Sequence, residues 1–183
     1  MCCALLLAGA ASGVWAQANL DLAHLLERIA EQKQVKATFV EKKTIKGLQT
    51  SIDSSGELYF AAPHLLKKIT LQPKPETVVF EGNQITLERN GRSRTIAMKD
   101  IPELAIHLEG IRALLLGDKV TLEKYYKTQL TGHFNEWKLR LTPVESSALK
   151  YLQFSGRKVV VDVVEVQLQD GDASVMRVTK VDD

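Results

Sequence analysis

The sequence predicts a mainly β protein with a few helices, built on one antiparallel sheet rather than on βαβ units. Three observations carry this. Short runs of strand-like residues follow one another from Val35 to Val181, broken by turn signals roughly every ten residues. Asn90-Gly91, set between two such runs, is the strongest short-range hairpin signal a sequence offers. Only two segments, residues 20–34 and 103–116, carry apolar residues at helical spacing.

The first helical segment places Leu22, Leu25, Leu26 and Ile29 on one face, with Glu27, Arg28 and Glu31 elsewhere and Asn19 or Asp21 available as its cap. The period then changes. Residues 35–45 alternate as a strand, residues 47–55 form a polar loop, and strands follow over 57–60, 65–71 and 77–80. Glu81-Gly82-Asn83 turns the chain into a strand over 84–89, and Asn90-Gly91 returns it over 94–98. Ile101-Pro102 opens the second helix, over residues 103–116, and Gly117 stops it as a C-terminal glycine should. Because this helix interrupts a series of strands, it is expected to pack on a face of the sheet. Strands are expected again over 119–130 and 137–141, the latter with Trp137, Leu139 and Leu141 on one face and Pro143 at its end. Residues 148–154, 159–168 and 174–181 complete the set, with Asp170-Gly171-Asp172 as the last turn. No internal repeat, low-complexity stretch or interdomain linker interrupts the series.

The length of 183 residues fits one domain. Residues 1–16 are apolar and uncharged, and Val14-Trp15-Ala16 and Ala16-Gln17-Ala18 both fit the small-residue pattern of a signal-peptidase site. The expectation is a signal peptide over 1–16, cut after Ala16 or Ala18, and a single exported domain over 17–183. The apolar run is too short to span a membrane. Both cysteines, Cys2 and Cys3, fall inside it, so the mature chain would hold no disulfide, no thiolate nucleophile and no cysteine-based metal site.

Composition excludes some functions. A net charge of +2, with acidic and basic residues interleaved, gives no footprint for nucleic acid. His24, His64, His107 and His133 are scattered, none at ligand spacing with another histidine. No serine sits in a nucleophile elbow and no motif pins a pair of carboxylates. No catalytic residue, metal or cofactor is therefore expected, and the chain is expected not to be an enzyme.

The order of elements, together with several segments, resembles the periplasmic outer-membrane lipoprotein carrier family, the LolA-like proteins. The matching stretches are VKATFVEKK (35–43), SGELYFAAP (55–63), residues 72–82 and GHFNEWKLRLTP (132–143). The resemblance implies an unclosed (half) antiparallel β-barrel whose concave hydrophobic face is covered by helices and receives acyl chains. It implies a monomeric periplasmic carrier of a lipoprotein or other amphiphilic lipid, with an inner-membrane donor and an outer-membrane acceptor. Two departures mark this chain as a relative rather than a copy. Ala62 stands before Pro63 where the family places an arginine that latches the helical lid, and Lys67-Lys68 stands where an aromatic is usual. A lipid-sensing or scaffold module using the same half-barrel, and a hydrolase with an unpatterned acid pair, are the rival readings.

Residues two apart on a strand share a face. On that basis the expected cavity lining is Phe39, Leu58, Phe60, Ile69 and Leu71 on the first strands, then Phe80, Ile85 and Leu87. Leu104, Leu108, Ile111 and Leu115 of the second helix are expected to face them from above. The opposite parity would present Val40, Tyr59, Thr70 and Val79, a more polar set.

Overall fold

The structure, a computed structural model, describes residues 20–181. The expected signal peptide and its cleavage positions lie outside the described residues. Helix α1 (Leu22–Ala30) precedes six strands, β1 (Gln34–Thr44), β2 (Ile52–Ala61), β3 (Leu65–Gln72), β4 (Glu76–Glu81), β5 (Gln84–Arg89) and β6 (Arg92–Ala97). A short 3-10 turn, Met98–Asp100, leads into α2 (Pro102–Leu116) and α3 (Lys119–Tyr125). Five further strands follow: β7 (Tyr126–His133), β8 (Glu136–Pro143), β9 (Leu149–Arg157), β10 (Val160–Leu168) and β11 (Ala173–Lys180).

All eleven strands form one antiparallel sheet in the order β6-β5-β4-β3-β2-β1-β11-β10-β9-β8-β7. The sheet is not closed, and the architecture is an open half-barrel. Its topology is two meanders that share a centre: β1 pairs with β11, Phe39 lying opposite Val178. The chain leaves the first meander at edge strand β6 and re-enters at the opposite edge, β7. A flat sheet of this width would measure about 48 Å at the usual strand spacing. The helices α2 and α3, at about 1.5 Å per residue, supply only about 33 Å of the crossing. The sheet curls around this connector, which lies on its concave side.

Local chemistry explains most boundaries. Asp21 caps α1, its carboxylate accepting from the His24 N–H at 3.2 Å. Gly117 ends α2 in the left-handed region, φ 70°, where a side chain would be strained. The Asn90-Gly91 turn joins β5 to β6, both residues having positive φ.

Two expectations about elements need correction. Residues 119–125, expected as strand, are helix α3. Asp118 caps it, accepting from the Thr121 N–H at 2.9 Å and the Thr121 hydroxyl at 2.6 Å, and Leu122 is driven into the core. The cap and the buried leucine outweigh the β-branched Val120 and Thr121. The expected loop over 47–55 is shorter, because β2 already begins at Ile52, paired with Lys43 of β1.

The main core fills the concave side over β7–β9. Leu25, Leu26 and Ile29 of α1, with Ala113 and Leu114 of α2 and Leu122 of α3, pack onto it. The sheet contributes Trp137, Leu139 and Leu141 of β8 and Leu152 and Phe154 of β9, all nearly inaccessible. A smaller cluster at the other edge joins Phe80, Ile85 and Met98 beneath Ala105 and Leu108.

Candidate functional site

Between these two cores the concave face is left unfilled. The space is an apolar cavity of about 520 Å³, within the range of small-molecule sites. Its floor is made by adjacent strands whose register aligns one face. Val35 lies opposite Phe60 and Ala37 opposite Leu58, and Lys68 lies between Leu58 and Val78. On the other side of the centre, Met176 and Val178 of β11 and Val164 of β10 continue the same face. The roof is α2, through Leu104, Leu108, Ile111 and Leu115.

Helix α2 serves two surfaces. Its Ala113 and Leu114 belong to the main core, and Gly110 sets the approach. A Cβ at Gly110 would stand 2.9 Å from the Tyr126 hydroxyl and 3.0 Å from Leu152 Cδ2. Only glycine lets the helix come that close. The Tyr126 hydroxyl donates to the Ile106 carbonyl, and burial pushes this phenol well above the ordinary tyrosine range, with the Glu109 charge adding to the effect. At the first turn of α2, the Glu103 carboxylate accepts from the Ala148 N–H at 3.0 Å. Arg112 Nη1 donates to the Gly82 carbonyl at 3.4 Å, and its guanidinium lies 5.5 Å from the Phe80 ring centroid. Arg112 thus joins α2 to the β4–β5 turn from the helix side.

The expected lining residues divide. Leu58, Phe60, Phe80, Leu104, Leu108, Ile111 and Leu115 border the cavity. Phe39 lies on the same face but beneath Lys68, whose Nζ is 4.7 Å from its ring centroid. Ile85 is buried in the smaller cluster, and Leu87 lies opposite Val78 on the inner face without bordering the cavity. Ile69 and Leu71 are corrected: they point to the convex side, and Leu71 is 49% exposed. On β3 the inner residues are Leu66 and Lys68. The neighbours dictate this, because Phe60 and Phe80 both lie opposite Leu66 and a strand between two paired strands cannot choose its own face.

Sequence reasoning missed the half of the lining that comes from β10 and β11, because nothing local signals that the last strand pairs with the first. The signal available was the apolar run Val159-Val160-Val161, in which both faces of the strand are apolar. It also missed the polar residues in the cavity. His107 borders it from α2, and its Nε2 is buried without a hydrogen-bond partner. Burial lowers the imidazole pKa below 6.5, and the Glu103 charge opposes the shift in part. Glu41, Lys43 and Lys68 project from the floor at one end.

Among the described residues, no three His, Cys, Asp or Glu side chains gather as metal ligands, and no helix is long and apolar enough to cross a membrane. What the arrangement can do is enclose an apolar ligand between a sheet and a helix.

An open antiparallel half-barrel with helices over an apolar concave cavity defines the class of protein. The chain belongs to the family described as outer membrane lipoprotein carrier protein LolA-like, whose pattern it matches over residues 14–179. No curated protein matches the sequence. Among solved structures, a LolA superfamily protein from Nitrosomonas europaea is similar at 11% identity and a TM-score of 0.48, covering 90% of this chain and 94% of that one. The Pseudomonas aeruginosa MucA/MucB complex is similar at 16% identity and a TM-score of 0.46, over 87% of this chain and 56% of that one. The Mycobacterium tuberculosis lipoprotein LppX is similar at 10% identity and a TM-score of 0.39, over 86% of this chain and 93% of that one.

Proposed function

We propose that the chain is a periplasmic carrier. It holds the acyl chains of a lipoprotein or another amphiphilic lipid in the cavity and moves this cargo from an inner-membrane donor to an outer-membrane acceptor. The observation that supports the reading most is the cavity of about 520 Å³ left between two completed cores and walled by apolar side chains of sheet and helix. Each methylene moved from water into such a wall is worth about 0.8 kcal/mol. A twelve-carbon chain therefore gains about 9 kcal/mol from shelter, and crossing an aqueous compartment requires it. Loading and release need no bond chemistry and no cofactor. Release is driven by an acceptor or membrane that offers the chains an equal or better burial. Leu58, Phe60 and Phe80 on the floor and Leu104, Leu108, Ile111 and Leu115 on the roof make the contacts.

Native mass spectrometry of protein purified without detergent tests this. The expected result is a co-purifying adduct of lipid mass in the wild type that is lost in Leu58→Asp and Leu108→Asp, both still folded by thermal melt. A wild type without any adduct that also fails to bind a neutral apolar dye such as N-phenyl-1-naphthylamine would overturn the reading.

A further inference from the structure

We infer that the Lys43 end of the cavity is a head-group site, and that the cargo is an amphiphile with an anionic head, phosphate or carboxylate, held by Lys43 and Lys68. The inference rests on the carrier reading and deepens it. Glu41 and Lys43 of β1 and Lys68 of β3, two strands separated by β2, bring charged side chains to the lining. Glu41 and Lys43 are two apart on β1 and so share a face. Lys68 comes from β3, its Nζ 2.5 Å from Glu41 Oε2 and 4.7 Å from the Phe39 ring centroid. Ser54 Oγ stands 3.5 Å from the same Glu41 oxygen.

A wall built for acyl chains alone has no use for this group. The Lys68 side chain is 31% exposed and that of Glu41 15%, and a pair so placed adds little stability that apolar side chains of similar volume would not. The geometry leaves donors in surplus. An ammonium offers three N–H groups and no acceptor. The Lys68 ammonium gives one to Glu41, and Lys43 has no ion-pair partner among the described residues. The acids at this end already have partners: Glu41 the Lys68 ammonium, and Asp172, also on the lining, the main-chain N–H of Lys46 at 2.9 Å. The two carboxylates at this end balance the two ammoniums in number, yet Lys43 is exposed and makes no ion pair among the described residues, and Lys68 uses one of its three N–H groups on Glu41. What remains is donor capacity beside an apolar chamber, the complement of a phosphate or carboxylate on acyl chains. At the opposite end the polar groups of the lining are bonded to one another. Gln32 Nε2 donates to the Val159 carbonyl at 2.6 Å while Gln32 Oε1 accepts from Lys180 Nζ at 3.0 Å. The chains run toward that end and the head stays at Lys43.

Displacement of bound N-phenyl-1-naphthylamine from the full mature chain tests the assignment, with dodecyl phosphate, 1-dodecanoylglycerol and methyl phosphate as competitors. Dodecyl phosphate is expected to displace the dye about tenfold more tightly than the neutral lipid, a gap of the size of a partly buried charged contact. The gap should shrink at high salt and close in Lys43→Met and in the charge-balanced Glu41→Gln/Lys68→Met pair. Methyl phosphate should displace nothing, which separates a lipid head from free phosphate. Equal displacement by both lipids overturns the head-group site while leaving the carrier reading standing. Failure of both lipids overturns the carrier reading itself. A phosphate preference that survives in both variants, or that is lost instead in Lys180→Met, places the head elsewhere and overturns the assignment. So does displacement by methyl phosphate alone.

Discussion

The concave face has two halves that are alike in sequence and opposite in fate. On β8 and β9, Leu139, Leu141, Leu152 and Phe154 are at most 1% exposed, because α1, α2 and α3 fill the space above them. On β1, β2, β4, β10 and β11, Val35, Leu58, Val78, Val164 and Met176 stand on the same inner face, yet remain only half-buried. These apolar side chains are of the same kind in both halves. The difference is whether a helix sits on them. One half is a core, and the other is a core with its partner missing, which is the physical definition of a site for an apolar guest.

The largest expected effect comes from placing one charge in each half. Leu139→Asp leaves a carboxylate buried without a partner, at a cost of several kcal/mol against a total stability of about 5–15 kcal/mol. We expect no cooperative melt from this variant. Leu58→Asp puts the carboxylate where water can reach it, and should retain a melt a few degrees lower while losing apolar dye binding. Matching behaviour in the two variants would erase the distinction between the halves.

Gly110→Leu is next. The added side chain meets Tyr126 and Leu152 within 3.0 Å of the first carbon, so α2 must shift, at about 1–3 kcal/mol. Because α2 roofs the cavity as well, both stability and dye binding should fall, read by chemical denaturation and by dye titration. Gly110→Leu lowering stability alone would mean that the two surfaces of α2 are independent.

Tyr126→Phe is milder. It removes the hydrogen bond to the Ile106 carbonyl but keeps the ring in the main core, and should cost about 1 kcal/mol. Dye binding should hardly change, since Tyr126 belongs to the filled half.

The smallest effect is a pH dependence on the cavity side. His107 is held below its ordinary pKa by burial, so as pH falls through the ordinary histidine range the unfolded chain binds more protons at this site than the folded chain. Stability from this group is complete above about pH 7 and falls as pH drops through the ordinary histidine range toward the folded pKa. Denaturation midpoints at pH 7.5 and 5.5 should therefore differ less in His107→Leu than in the wild type. An equal difference in both would remove His107 from the account.

Much of the fold was legible in the sequence. The spacing of Leu22, Leu25, Leu26 and Ile29 places α1 and its buried face, and Asn90-Gly91 places the β5–β6 hairpin. Gly117 ends α2, and the alternation of Trp137, Leu139 and Leu141 points these three inward. These are local decisions, set by periodicity, caps and turn residues acting over a few positions. The order of such elements was also enough to suggest the family. The site was less legible, and β3 is the reason in miniature. By its own pattern Leu65, Ile69 and Leu71 make the better apolar face. Yet the hydrogen bonding of β3 to both β2 and β4 turns Leu66 and Lys68 inward, because register belongs to the pair of strands and not to either one. The pairing of β1 with β11 is likewise a contact between the two ends of the chain, and it alone brings Met176 and Val178 into the cavity. Which half of the sheet stays empty depends on where α1, α2 and α3 come to rest. That is a question of volume in three dimensions, and the sequence, which determined most of the elements through local caps, turns and periodicity, left it to the tertiary structure to decide.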